Sequence, residues 1–308
     1  MKRARIIYNP TSGRELFKKH LPEVLYKLER AGFETSTHAT ECEGDGTKAA
    51  QIAVERRYDL VIAAGGDGTL NEVINGLANQ EYRPKLGIIP MGTTNDFARA
   101  LHIPKDIQEA CNVIIKGDTV PIDLGRMNEK YFINIAGGGS LTELTYEVPS
   151  KLKTMLGQLA YYLKGIEMLP SLKSMPLYLE YDDEVFEGEA MLFLVGLTNS
   201  VGGFEKLAPE ASINDGYFSL LILKKCNLAE LVRIASAALR GEHLNDPLVI
   251  STKAKRIKAT SGGKVQLNLD GEFGGLLPAE FECIYRHLDV YAPLDKIRPQ
   301  DRVDLENE

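Results

Sequence analysis

The chain has 308 residues, 44% of them hydrophobic and 26% charged, with a formal net charge of −7. That size and balance fit one large or two ordinary globular domains with a real core, while the acidic surplus argues against a general nucleic-acid binder, which needs basic surface. The four cysteines, Cys42, Cys111, Cys226 and Cys283, lie too far apart for a CxxC pair, a zinc pattern or a dense disulfide framework.

Ala4 to Tyr8 predicts a strand, and Asn9-Pro-Thr-Ser-Gly13 a polar turn. A helix follows, with Phe17, Leu21, Val24 or Leu25 and Leu28 at helical spacing, ended by Gly32. Phe33 to Thr40 reads as a second strand and Asp45 to Val54 as a second helix, capped by Asp45. Asp59 to Ala64 is an apolar run expected to be a buried strand. It opens through Gly65-Gly-Asp-Gly-Thr69 into a helix marked by Leu70, Val73, Ile74 and Leu77. Leu86 to Ile89 predicts a fourth strand and Pro90-Met-Gly-Thr-Thr-Asn-Asp96 a second functional-looking turn. Short helices follow at Phe97–Leu101 and Ile107–Ile115. This alternation implies a mostly parallel sheet, in which ligands sit beyond the carboxyl ends of the strands. Asn9–Gly13, Thr40, Gly65–Asn71 and Gly92–Asp96 are all turns on that edge.

Beyond Val120–Gly125 the texture changes. Tyr131 to Ala136 reads as a strand, followed by Gly137-Gly-Gly-Ser140. A helix is expected from about Ser150 to Leu169, with Lys151, Lys153 and Lys164 as a local basic bias and an apolar stripe that packs inward or docks on an anionic membrane. Strand signals then dominate, at Leu177–Tyr181, Val185–Leu197, Tyr217–Leu223, Leu248–Ser251, Arg256–Thr260, Lys264–Asp270 and Glu280–Tyr285. One helix, about Asn227 to Leu239, interrupts them. The expectation is an α/β domain of residues 1–124, with 290–308 packing back on it, and a β-rich, sandwich-like domain of residues 125–289. No uncharged apolar stretch reaches the length of a transmembrane helix, so membrane contact would be peripheral.

Phosphoryl transfer needs donors for phosphates, carboxylates for Mg²⁺, and a base for the acceptor hydroxyl. The turns offer all three. Glycines at a strand-to-helix turn let a phosphate approach backbone N–H groups, and Thr11, Ser12, Thr69 and Thr93 add hydroxyls. Asp67 and Asp96 suit Mg²⁺, which prefers hard oxygen donors. Asp270 and Glu272 flank Gly271; on an extended strand they would face the same side, leaving either a Mg²⁺-linked acid with a base or a solvated hairpin tip. No GxxxxGK[ST] run or protein-kinase signature is present. The five histidines have no metal spacing.

Gly65-Gly-Asp-Gly-Thr-Leu-Asn-Glu72 together with Gly92-Thr-Thr-Asn-Asp-Phe-Ala-Arg99 resembles the diacylglycerol kinase catalytic-domain family, which includes the diacylglycerol, sphingosine and ceramide kinases. Asn9-Pro-Thr-Ser-Gly13 and Leu269-Asp-Gly-Glu272 match it too, in the family's order. The resemblance implies ATP between the two domains, against Asn9, Pro10, Thr11, Ser12, Gly13, Thr40, Gly66, Asp67, Gly68, Thr69, Leu70, Asn71 and Thr93. It implies Asp67, Asp96 and Asp270 around a catalytic Mg²⁺, through water, and Glu272 as general base. A second, structural Mg²⁺ is implied on Ser212, Asp215 and Tyr217; read alone, that Asn-Asp-Gly stretch is a hairpin turn. The implied reaction is ATP-dependent phosphorylation of diacylglycerol to phosphatidate, recycling diacylglycerol from phospholipid and lipoteichoic-acid turnover. The protein would be a bacterial cytoplasmic homodimer, peripheral to an anionic membrane face. An NAD kinase or an inactive nucleotide-binding regulator are the competing readings.

Overall fold

A computed structural model describes residues 1–139, 173–199, 208 and 211–302. The expected helix of 150–169, with Lys151, Lys153 and Lys164, lies outside the described residues, as do Ser140 and the end of the acidic tail. The chain divides into two compact units, Met1–Leu124 with the segment from Tyr285 onward, and Gly125–Ile284. It leaves the first unit within β5 (Thr119–Met127) and returns within β15 (Ala279–Tyr291). The return therefore starts at Tyr285, inside one uninterrupted strand, rather than at residue 290.

The first unit alternates strand and helix: β1 (Lys2–Tyr8), α1 (Leu16–Arg30), β2 (Phe33–Ala39), α2 (Asp45–Glu55), β3 (Leu60–Gly65), α3 (Asp67–Ala78), β4 (Lys85–Pro90), α4 (Asp96–Ala100) and α5 (Ile107–Lys116). The sheet runs β2-β1-β3-β4, all parallel, and the end of β15 joins β4 in parallel at Val290 and Leu86. Every residue of β3 is buried, as in a parallel strand covered on both faces. Strand order reverses between β1 and β3, so the crevice beyond their carboxyl ends is the natural ligand position. The turns after Tyr8 and Gly65 flank it.

Two local expectations are corrected. The helix after the glycine turn starts at Asp67, not Leu70. Its first turn is polar, so apolar spacing is blind to it. Asp45 does not cap α2. The N-cap is Gly44, without a side-chain cap, and Asp45 instead accepts from Glu41 N at 3.0 Å and pairs with His38 Nε2 at 3.2 Å. The exposed start of α2 is satisfied by α3. Gly44 N and Gly46 N donate to the Glu72 carboxylate at 2.9 and 2.8 Å, and Thr47 Oγ1 donates to Glu72 O at 2.9 Å. A carboxylate at a helix N-terminus also opposes the positive end of the helix dipole.

The second unit is antiparallel and β-rich. Its strands are β6 (Lys130–Phe132), β7 (Ile135–Gly139), β8 (Met175–Tyr181), β9 (Glu184–Gly196), β10 (Phe218–Lys224), β11 (Val249–Ala254), β12 (Arg256–Ser261), β13 (Gln266–Leu269) and β14 (Glu272–Leu276), with parts of β5 and β15. β9 carries β8 along its first half and β7 and β10 along its second. Alternating apolar residues build the core, where Phe132 stacks on Phe218 at 5.7 Å and Phe193 meets Phe281 edge-on at 6.1 Å. The helix α6 (Leu228–Arg240) starts with a capping box between Asn227 and Glu230 and buries Leu231 and Ile234 against Met191, Leu192 and Leu223. The expected strand at Lys264–Asp270 is present as β13 and forms the first arm of a hairpin, with β14 as an unexpected second. Glycines in Glu272–Leu276 hid that second arm.

Glu72→Ala should leave the Gly44 and Gly46 N–H groups without their acceptor and lower stability by about 1–3 kcal/mol. Urea midpoints at an unchanged slope would measure this, with Glu72→Gln recovering part of the loss.

Candidate active site

In the first unit, three turns converge on one another. Asn9 N donates to Ala64 O at 3.1 Å, tying the β1 turn to β3, and Met91 N donates to Gly65 O at 2.7 Å, tying the β4 turn to the glycine turn. A Cβ on Gly92 would fall 2.8 Å from Gly66 Cα and 2.7 Å from Asn95 Oδ1. Only glycine permits the two backbones to pass this closely.

Asp67 holds this meeting point. Its carboxylate accepts from Asn95 N and Asp96 N, both at 2.9 Å. The first residue of α3 thus binds the first turn of α4. Asn95 makes that geometry available. It is buried, left-handed at φ 50°, and its amide exchanges bonds with Gly92, accepting from Gly92 N at 2.8 Å and donating to Gly92 O at 2.7 Å. Asp96 pairs with Arg99 across one turn of α4. Hydrogen bonds to a charged group contribute about 1.5–3 kcal/mol each. Even so, burial first and the Asp96 charge second push Asp67 above the ordinary carboxylate range, against its backbone donors. Desolvation and like charge therefore win at this position.

Each carboxylate oxygen of Asp67 accepts one of these bonds. Two acids held together, one with its charge disfavoured, form a hard-oxygen set that suits Mg²⁺. Among the described residues, no three His, Cys, Asp or Glu side chains converge as a metal cluster.

The other expected nucleotide contacts divide into those facing out and those turned inward. Thr93 and Thr11 are exposed, and Pro10, Ser12, Gly13, Gly66 and Gly68 are half-buried. Thr40 lies at the same edge, its N–H on Tyr8 O at 2.9 Å. Asn9 Oδ1 is spent within its own turn, accepting from Thr11 N at 2.9 Å and Thr11 Oγ1 at 2.8 Å. Thr69 is buried against Gly65 and offers backbone rather than side chain, whereas Leu70 belongs to the core and its N–H already donates to Gly66 O at 3.1 Å. Asn71 accepts from Asn75 Nδ2 through Oδ1 at 3.1 Å and through its carbonyl at 3.0 Å.

In the second unit, Asp270 and Gly271 form the two-residue tip between β13 and β14, with φ of 51° and 94°. Two left-handed residues make a primed hairpin turn, for which Asp-Gly is a favoured pair. The extended-strand argument for Asp270 and Glu272 is therefore corrected: the chain reverses at Asp270-Gly271. The Asp270 carboxylate reaches back to Ile133 N, Asn134 N and Ile135 N at 2.8, 2.9 and 2.9 Å. Glu272, first in β14, is exposed. In the loop 212–217, Asp215 accepts from Tyr217 N at 3.1 Å and pairs with Lys253 Nζ at 2.6 Å. An ammonium already neutralises that carboxylate, so this loop fits a structural Mg²⁺ only if Lys253 withdraws. Ser212 is buried and Tyr217 partly exposed beneath Lys255.

Residues 3–127 match the diacylglycerol kinase catalytic domain, and residues 144–292 the YegS C-terminal NAD kinase beta sandwich-like domain. The chain is 66% identical over 302 residues to the diacylglycerol kinase of Bacillus subtilis (strain 168), covering 98% of this chain and 100% of that protein. It is 60% identical to a Staphylococcus epidermidis diacylglycerol kinase, covering 96% and 93% respectively. Two Bacillus anthracis str. Sterne crystal structures superimpose on it. One does so at a TM-score of 0.84, with 30% identity over 95% of each chain. The other, named a diacylglycerol kinase, does so at 0.76, with 28% identity over 95% of this chain and 97% of that one.

The raised Asp67 value has a signed consequence. Its protonated form is favoured in the folded state, so the stabilisation is full below the unfolded value, about 3.9, and is lost as pH rises through the raised folded value. Relative to Asp67→Asn, the wild type should gain stability as pH falls through that window. Urea midpoints from neutral pH downward would show the two curves changing separation; parallel curves would contradict the assignment.

Proposed function

The chain belongs to the diacylglycerol kinase family, and from that premise we propose that it transfers the γ-phosphoryl group of ATP to the free hydroxyl of diacylglycerol, giving phosphatidate. The observation that carries this reading is the clasp of Asp67 on Asn95 and Asp96, which fixes two glycine turns at the carboxyl edge of a parallel sheet. Asn9 to Gly13, Thr40, Gly66 to Asn71 and Thr93 hold the nucleotide, chiefly through backbone N–H groups at the start of α3.

Asp67 and Asp96 would hold Mg²⁺, which would supply positive charge against the phosphate oxygens. Asp270 uses most of its acceptor capacity on the 133–135 backbone, so its first role is to fix the turn that presents Glu272. Glu272 accepts the proton of the lipid hydroxyl. It stands exposed at the start of β14. A second Mg²⁺ on Asp215, with backbone oxygens of Ser212 and Tyr217, requires Lys253 to leave. The physiological setting is recycling of diacylglycerol released by phospholipid and lipoteichoic-acid turnover, by a cytoplasmic homodimer at an anionic membrane face. Among the described residues, no helix is long and apolar enough to cross a membrane.

Radiolabelled ATP offered with diacylglycerol, ceramide, sphingosine or NAD tests the acceptor. Labelled phosphatidate alone is expected; label on another acceptor with diacylglycerol inert would replace the substrate assignment. Glu272→Gln should lose about 10²-fold or more in turnover, the scale of general-base catalysis, while nucleotide binding persists. Wild-type turnover in that variant would remove Glu272 from its role.

A further inference from the structure

The first unit contains a second concave feature, a cleft of about 210 Å³ bordered by the Asn95 loop. Arg99, His102, Lys105 and Lys296 all line it, and no acid does. Arg99, His102 and Lys105 come from α4 and the short stretch after it, whereas Lys296 comes from the segment that returns after β15. Sequence-distant chain is thus folded back to add a cation to an already cationic wall.

The nearby acids are engaged elsewhere. Asp96 pairs with Arg99. Asp106 caps α5, accepting from Gln108 N at 2.9 Å and Glu109 N at 3.0 Å. Asp295 lies 4.0 Å from Lys116. Among the described residues, the side chains of His102, Lys105 and Lys296 make no hydrogen bond or ion pair. An anion in the cleft would meet several cations at once, and the concave wall keeps them converging on it. His102 adds an independent sign. It follows α4 at φ 54°, a helix-ending position that glycine usually fills at no steric cost. Keeping an imidazole there costs strain, and the ring lines the cleft.

We propose that this cleft binds a phosphate monoester. Such a group carries about −1.5 to −2 charges near neutral pH and three acceptor oxygens, matching several convergent cations better than a carboxylate with two oxygens. Pro90 and Ile103 supply apolar lining for the carbon that bears the ester. The site is separate from the Asn9–Thr93 cradle and does not depend on the identity of the phosphoryl acceptor.

The test resolves the site by residue. The full chain is titrated with inorganic phosphate and with glycerol 3-phosphate at constant pH and ionic strength, following the ring resonances of its five histidines by NMR. Saturable shifts at His102 are expected, with affinity weakened about tenfold or more, equivalent to about 1.4 kcal/mol, in the Lys105→Gln/Lys296→Gln double variant. Both lysines are exposed, and an unchanged melting temperature verifies the fold. A His102 ring that ignores both anions, or responds equally in the double variant, overturns the proposal. Sedimentation with phosphatidylcholine vesicles, with and without phosphatidate, separates two sources of the same group. Phosphatidate-dependent binding lost in the double variant assigns it to a lipid headgroup. Indifference to vesicles, with His102 shifted by glycerol 3-phosphate, assigns it to a soluble monoester.

Discussion

The clasp of Asp67 on the α4 backbone is the constraint on which the candidate site depends. The two glycine turns follow different strands and start different helices, and nothing in their own sequences makes them touch. Glycines at 66 and 92 remove the steric barrier, and the Asp67 carboxylate supplies the attraction. Asn95 then orients the N–H groups that Asp67 needs. Lose the acceptor, and two backbone donors are left to find water or another partner, at a cost comparable to a substantial share of a domain's net stability.

The same device recurs in the second unit. Asp270 sits at a hairpin tip and turns its carboxylate onto three successive backbone N–H groups leading into β7. In both units, the acids that look most like chemistry are first fasteners of loops. These roles are compatible. An acid with its oxygens already oriented by backbone donors does not need to be ordered when a cation or substrate arrives, and preorganised polar groups cost little reorganisation at the moment of reaction. Glu272 complements this arrangement by remaining exposed while the turn beside it is fixed.

Much of the architecture was legible in the sequence because the signals were periodic. An apolar run placed β3, and helical spacing placed α1 and the body of α3. Strand signals placed most strands of the second unit. What escaped was contact between elements distant in sequence. Glu72 looks like the polar end of a glycine motif, yet its carboxylate satisfies the start of α2, a residue pairing no local pattern encodes. Asn95 carried a weak signal, since asparagine tolerates left-handed backbone better than most residues. For Asp270 and Glu272 the sequence left a strand and a hairpin tip open, because the period-2 rule holds inside a strand and fails where Asp-Gly reverses the chain. Thr69 was legible as a hydroxyl but not as one folded back against Gly65.

Why Asp67 is an acid rather than an amide follows from the same geometry. An asparagine could accept one of the two backbone bonds, but its amide nitrogen cannot accept the other. A carboxylate accepts both, and it does so while burial and Asp96 disfavour its charge. The fold therefore keeps an anion in an unfavourable place for the sake of loop geometry. That cost is relieved by positive charge arriving between Asp67 and Asp96, so a site built this way is more comfortable with a cation present than without one. Arg99 relieves only the Asp96 side of the pair. The residual electrostatic tension falls at the meeting of the two glycine turns, where the first N–H groups of α3 also lie.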